Sequence, residues 1–303
     1  MDHRPTPTPS PSPQGGGEPC IEFVVMFDWI RRPARRGHFA ALDHADFPAF
    51  EPGSVWLVGA GPGGPGLVSL LAYHALGQAD VIVHDALVAP DLLAMAPRRA
   101  QKLFAGKRGG KPSPKQADIS LQLIDLARSG KRVLRLKGGD PFMFGRGGEE
   151  AGALARAGIP FRIVPGISSG LGGLAYAGIP ITHRDTNQAV IFLTGHDESG
   201  AVPGGVDWNA VAHAAPVIVM FMAVKHLGSI TQKLLAAGRD GTDRLAIVSH
   251  AATPDQSIIE TTLAQAHALS EVPTPAIVVL GPVSAYRQSL DWYVGEARRH
   301  AFG

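Results

Sequence analysis

Cys20 is the only cysteine among 303 residues, which excludes an internal disulfide framework and any zinc or iron–sulfur cage built from cysteines. A reducing, cytoplasmic setting is the expected one. Long apolar runs are also missing: none reaches the roughly 18 residues that a bilayer-spanning helix needs. Ile21 to Ile30 is interrupted by Glu22 and Asp28 and follows no basic stretch. Neither a signal peptide nor a membrane partner is expected. Charge of one sign is not in excess either, since 28 Lys and Arg stand against 26 Asp and Glu, for a formal net charge of +2. With no Lys/Arg run interleaved with aromatics, a nucleic-acid partner is not indicated. His183 and His196 lack ligand spacing and a carboxylate in register, so no metal site is expected, and structural or substrate-binding histidines are the better reading.

What is present is enough apolar sequence, 45% of the chain, to bury two modest cores. Residues 5–19, PTPTPSPSPQGGGEP, are low-complexity and too polar to offset chain entropy, so residues 1–52 are expected to be a disordered leader, with Met26 an alternative start. From Ser54 short β-branched runs alternate with helix-like stretches, the pattern of an α/β fold with mostly parallel sheets. The expected strands are Val55 to Val58, Val81 to His84, Arg132 to Leu136 and Phe161 to Val164, then Val190 to Thr194, Val217 to Met222, Leu245 to Ser249 and Ala276 to Leu280. Helices are expected near Leu67 to Leu76, Lys115 to Ser129, Glu149 to Ala157, Val224 to Ala237 and Thr262 to Leu269. This divides the chain into an α/β domain over 53–167, a linker that contributes to the site over 168–186, a second α/β domain over 187–292 and a tail over 293–303.

The most informative segment is LKGGDPFMFGRGGEE, residues 136–150. Five glycines in a loop cost backbone entropy on ordering, and the return expected is close approach of backbone to a small molecule. A second loop, GAGPGGPG at 59–66, satisfies GxGxxG after a strand, with Asp85 closing the next strand as in a dinucleotide fingerprint. Pro62 and Pro65 argue against that reading, because each removes a backbone N–H that a pyrophosphate would need.

Together with VWLVGAGPG (55–63), HDALV around Asp85, AGKRGGKPSPKQ (105–116), VPGISS (164–169), AGIPITHRD (177–185), TGH (194–196) and PAIVVLGPV (275–283), these loops resemble the uroporphyrinogen-III C-methyltransferases of the tetrapyrrole methylase superfamily. The resemblance runs from about Gly53 to Leu290. It implies a two-domain α/β fold, a homodimer, and a site for S-adenosylmethionine (product S-adenosylhomocysteine) in the cleft between domains. The activity implied is methylation of uroporphyrinogen III, twice, giving precorrin-2 by way of precorrin-1 in siroheme or cobalamin synthesis. The leader is too short for the extra domain of larger siroheme synthases, so a stand-alone methylase is expected.

Carried over by position, the cofactor contacts implied are Pro62, Gly138, Gly139, Asp140, Met143, Ser168, Ser169, Met222 and Ala251. Asp85 matches a proton acceptor and Lys107 a donor, while Arg146, Arg184 and Arg108 match the cations that a polycarboxylate requires. Each has a structural alternative: Met222 as strand core, Ser168 and Ser169 as helix caps, Asp85 as a turn cap, Lys107 as a solvated charge, the arginines as salt-bridge partners. Two departures stand out. Gly64 replaces the aspartate of the usual GPGDPG, and Ala251 replaces a common glycine. A cofactor-binding homologue with weakened catalysis is therefore an alternative, and a dinucleotide-dependent oxidoreductase a weaker one.

Overall fold

The computed structural model describes residues 46–106 and 116–293. Lys107, Arg108 and nearly all of the expected leader and tail lie outside the described residues. Phe50, inside the leader expected to be disordered, is buried and stacks on Trp56 at 4.6 Å, so order begins before residue 52.

The first sheet is parallel, in the order β3-β2-β4-β1-β5: β1 (Val55–Gly59), β2 (Val81–His84), β3 (Gln101–Phe104), β4 (Val133–Lys137) and β5 (Phe161–Val164). Both faces are covered, so its central strands are continuously apolar apart from two charges on β4. Side chains alternate between faces. Trp56, Val58, Ile82, Leu134 and Leu136 pack with Ala72 and Leu76 of helix α1 (Leu70–Gln78) and Leu92 of helix α2 (Pro90–Ala94). Val55, Leu57, Val81, Val83 and Val133 face the other way, onto Leu123 and Ile124 of α3 (Gln116–Arg128) and Leu154 of α4 (Gly147–Arg156).

The second sheet has the order β6-β7-β10-β8-β9: β6 (Val190–Thr194), β7 (Val217–Phe221), β8 (Arg244–Ser249), β9 (Ser257–Thr262) and β10 (Ala276–Leu280). It is mixed rather than mostly parallel. Only β6 and β7 run parallel; β10 is antiparallel to both β7 and β8, and β8 to β9. The cause is local, since the chain returns from β8 through a short turn at 250–256 where a helical crossover would be needed for parallel pairing. The helix expected over Thr262 to Leu269 is accordingly replaced by the end of β9 and a short 3-10 turn, Ala266–Ala268. One face of this sheet packs on α7 (Leu227–Ala236), which comes after helices α5 (Leu174–Tyr176) and α6 (Trp208–Ala214) in the chain. The other face is covered by Leu174, Ala177, Ile179 and Val283, so the segment after β5 is built into this core.

At the C-terminal end of the first sheet the strands come unusually close. A Cβ on Gly59 would lie 2.5 Å from Gly166 Cα and 2.6 Å from the Gly139 carbonyl oxygen. Only glycine permits that approach. Gly59→Ala is therefore expected to destabilise the protein by about 1–3 kcal/mol through overpacking, measured by urea unfolding; an unchanged midpoint would contradict this reading.

Candidate active site

The loops after β1, β4 and β5 meet at the C-terminal end of the first sheet and face the ends of β7 and β8. The loop after β1 and the loop after β4 are joined by backbone: Gly61 N–H donates to the Gly139 carbonyl at 3.1 Å and Gly139 N–H to the Gly61 carbonyl at 3.0 Å. Gly139 sits at φ 67, and a Cβ there would lie 3.7 Å from the Ser169 amide nitrogen and 4.0 Å from Ser168 Cα. Asp140 locks the junction, since its Oδ1 accepts from Phe142 N–H at 2.8 Å and its Oδ2 from Gly166 N–H at 3.0 Å. The loop after β5 therefore hangs on the same carboxylate.

The second sheet supplies the opposite wall. Phe144 packs against Phe221 at 5.0 Å between ring centroids, and Met143 and Ala251 both lie on the second sheet's core cluster. A Cβ on Gly173 would sit 2.8 Å from that of Ala251, and one on Gly172 3.3 Å from Pro62 Cγ. Met222, Phe144, His250 and Ala252 all hold positive φ, between 48° and 59°. Left-handed backbone in non-glycine residues costs energy, and here it clusters where the two sheets meet. Met222 is 45% exposed at the end of β7, not core. Ser168 is buried, yet its hydroxyl caps nothing in the adjoining π-helical turn, Ser169–Gly173. Nine residues from four loops and one strand end, Pro62, Gly138, Gly139, Asp140, Met143, Ser168, Ser169, Met222 and Ala251, are thus gathered in one region.

The dinucleotide reading fails on backbone grounds. The amides of Ala60 and Gly61 are committed to the Lys137 and Gly139 carbonyls. The glycine loop then runs into a three-residue 3-10 turn, Pro65–Leu67, and α1 starts only at Leu70 with Ser69 as its own cap. No helix N-terminus opens from the glycine loop toward a phosphate.

Asp85 is not a turn cap. Its Oδ1 accepts from Arg135 Nη2 at 2.6 Å, and its Oδ2 lies 3.9 Å from Lys137 Nζ. Alternation explains the arrangement: Val81, Val83 and Asp85 share a face of β2, and Val133, Arg135 and Lys137 share the same face of β4, with Val83 in register with Arg135. That face is covered by α3 and α4, whose first turns bring Gln116 and Glu150 onto it. Glu150 Oε1 accepts from Gln116 Nε2 at 2.9 Å, Arg135 Nε at 3.1 Å and Lys137 Nζ at 3.3 Å. Arg135, Lys137 and Glu150 were absent from the sequence-derived site. Two cations in a strand otherwise buried on both faces were the available signal.

Of the expected substrate cations, Arg146 is engaged by Glu149 in a two-bond fork, 2.8 and 2.7 Å, and by Glu198 at 3.4 Å. The hydrogen bond from Arg146 to Glu149 raises the arginine's pKa further. Arg184 lies on the turn closed by the His183·Asn187 bridge and makes no ion pair among the described residues. His183 stacks on Tyr286 at 4.1 Å, a packing role.

Burial is the main cause that lowers the Lys137 pKa below the ordinary 10.5, with the positive charge of Arg135 second. Between the lowered native value and the unfolded one, the unfolded chain binds more protons at this site, so stability rises with pH across that window and is flat below it. The stability of the parent relative to Lys137→Met is therefore expected to increase as pH climbs toward 10.5, checked by denaturant unfolding at several pH values; a decrease would contradict the burial argument.

The profile of the tetrapyrrole (corrin/porphyrin) methylases matches residues 54–267. A uroporphyrinogen-III C-methyltransferase of Sinorhizobium sp is 62% identical over 251 residues, covering 82% of this chain and 90% of the relative. A siroheme synthase of Zymomonas mobilis is 45% identical over 244 residues; the chain covers 51% of that protein, about half its length. Among solved structures, the Thermus thermophilus uroporphyrin-III C-methyl transferase complexed with S-adenyl homocysteine superposes with a TM-score of 0.69 at 38% identity, over 77% of this chain and 99% of that one. On the profile match and these identities, the chain belongs to the tetrapyrrole methylase family.

Proposed function

We propose that the chain is an S-adenosylmethionine-dependent C-methyltransferase that methylates uroporphyrinogen III twice, giving precorrin-2 by way of precorrin-1. The observation that carries the reading is the convergence of the motif loops from both sheets on one region. Their composition suits the cofactor: half-buried glycine backbone without side chains at Gly138 and Gly139, small hydroxyls at Ser168 and Ser169, and polarisable sulfur at Met143 and Met222. When bound there, S-adenosylmethionine supplies the methyl group. The chain's own part is to orient and to move a proton. In-line transfer to a pyrrole carbon gains most from alignment, and the backbone bridge between Gly61 and Gly139 fixes the two loops that would grip the cofactor.

Asp85 is the group proposed to take the proton that the methylated carbon releases. Its Oδ2, free of the short arginine contact, is the accepting atom. Lys107 keeps its proposed donor role, on the resemblance alone. Arg184, with Arg108, is proposed to meet the substrate carboxylates, whereas Arg146 would first have to exchange Glu149 for them. The two-domain division with its linker over 168–186, a homodimer and a cytoplasmic location belong to the same proposal.

Gly64 favours a second reading, a chain that binds the cofactor and turns over slowly. Its backbone is extended, φ −80 and ψ 177, a conformation open to aspartate. The test is anaerobic incubation with uroporphyrinogen III and methyl-labelled S-adenosylmethionine, with methyl groups per macrocycle read by mass. Two methyl groups are expected from the parent chain, and Asp85→Asn is expected to lower kcat by roughly 10²–10⁴-fold with S-adenosylhomocysteine affinity retained. Turnover by Gly64→Asp alone would establish the second reading; failure of both to bind S-adenosylhomocysteine would contradict the assignment.

A further inference from the structure

The buried cluster behind Asp85 does something the methyl-transfer reading leaves unexplained. Arg135 and Glu150 have side-chain exposures of 2% and 0%, and Lys137 has 4%, against 27% for Asp85. Of these four charged groups Asp85 is the most exposed. Burying such a cluster is a poor route to stability, because apolar residues of similar size often serve as well or better. Its contribution has to be sought in geometry.

The contacts are arranged as a chain of orientation. The guanidinium of Arg135 lies between two carboxylates, with Nε on Glu150 at 3.1 Å and Nη2 on Asp85 at 2.6 Å. Its Nη1 points at the Val83 and Leu136 carbonyls, at 3.4 and 3.5 Å. A planar fork with both edges held cannot swing. Glu150 is fixed in turn by Gln116 and Lys137, which reach the same Oε1. Among the described residues Glu150 Oε2 is buried without a hydrogen-bond partner, so the carboxylate is aimed by what Oε1 receives.

We infer that Glu150 and Arg135 are positioning residues for the methyl-transfer reaction: they hold the Asp85 carboxylate in one orientation, with Oδ1 occupied and Oδ2 left to take the proton. This rests on the proposed role of Asp85, and neither residue needs to touch substrate. A misplacement on the order of 1 Å can cost about 100-fold in rate. The expected signature is therefore a loss in kcat, not in cofactor affinity.

The experiment is a double-mutant cycle on the full chain. Methyl transfer, S-adenosylhomocysteine affinity and thermal midpoint are measured for the parent, Glu150→Gln, Asp85→Asn and the double variant. Glu150→Gln is expected to lower kcat by about 10–100-fold at unchanged affinity. In the Asp85→Asn background it is expected to cost nothing more, since both changes act on one group. If Glu150→Gln costs the same factor with Asp85 as without it, the inference is overturned while the role of Asp85 stands. If Asp85→Asn turns over like the parent, the role of Asp85 falls and the inference with it. Should Glu150→Gln not fold, Arg135→Lys runs the same cycle, keeping the charge and losing the fork.

Discussion

Glu150 carries a carboxylate with no solvent exposure, and three donors from two structural elements converge on one of its oxygens. That contact ties the starts of α3 and α4 to β4 and, through Arg135, to the end of β2. The cost of leaving a buried charge unpaired, about 3–5 kcal/mol when one partner is lost, makes the geometry close to all-or-none. The placement of Asp85, the most exposed of the network's charged groups, depends on it. The same end of the sheet is closed by backbone at Gly59, Gly139 and Gly166, where side chains have no room. A rigid floor results, built from charge on one face and from glycine at the rim.

The opposite wall is made differently. Met222 and His250 hold left-handed backbone directly after β7 and β8, and Phe144 crosses from the first sheet to pack on Phe221 of the second. The strain and the aromatic contact lie in the same place, where a ligand between the sheets would touch both. Asp140, expected to face a cofactor, instead spends both oxygens on backbone amides of its own loop and of Gly166. It shapes the junction of the two loops and, as a carboxylate, has lone pairs to spare for a further contact.

Much of this was legible in the sequence, for physical reasons that differ by element. The long apolar strands β1, β4, β7, β8 and β10 announce themselves because burial on both faces demands continuous hydrophobicity. β3 did not, being a four-residue edge strand that begins Gln101-Lys102 with both exposed, and β9 did not because Ser, Glu and Thr interrupt its apolar pattern. The direction of the second sheet's strands was hidden as well, since pairing direction depends on the connections and not on strand composition. At the site, the glycine loops were visible as loops because glycine costs entropy unless something needs its shape. Arg135, Lys137 and Glu150 were missed because each looks ordinary alone. Only alternation along β4, taken together with the helix that covers that face, places them in contact.

The central claim is that the loops of both sheets form one cofactor site. Hydrogen exchange with and without S-adenosylhomocysteine tests it most directly. The account predicts slowed exchange together in residues 138–143, 167–173, 222–223 and 250–252, with the loop at 59–64 joining them. Protection confined to the loop after β1, or no protection at all, would contradict it.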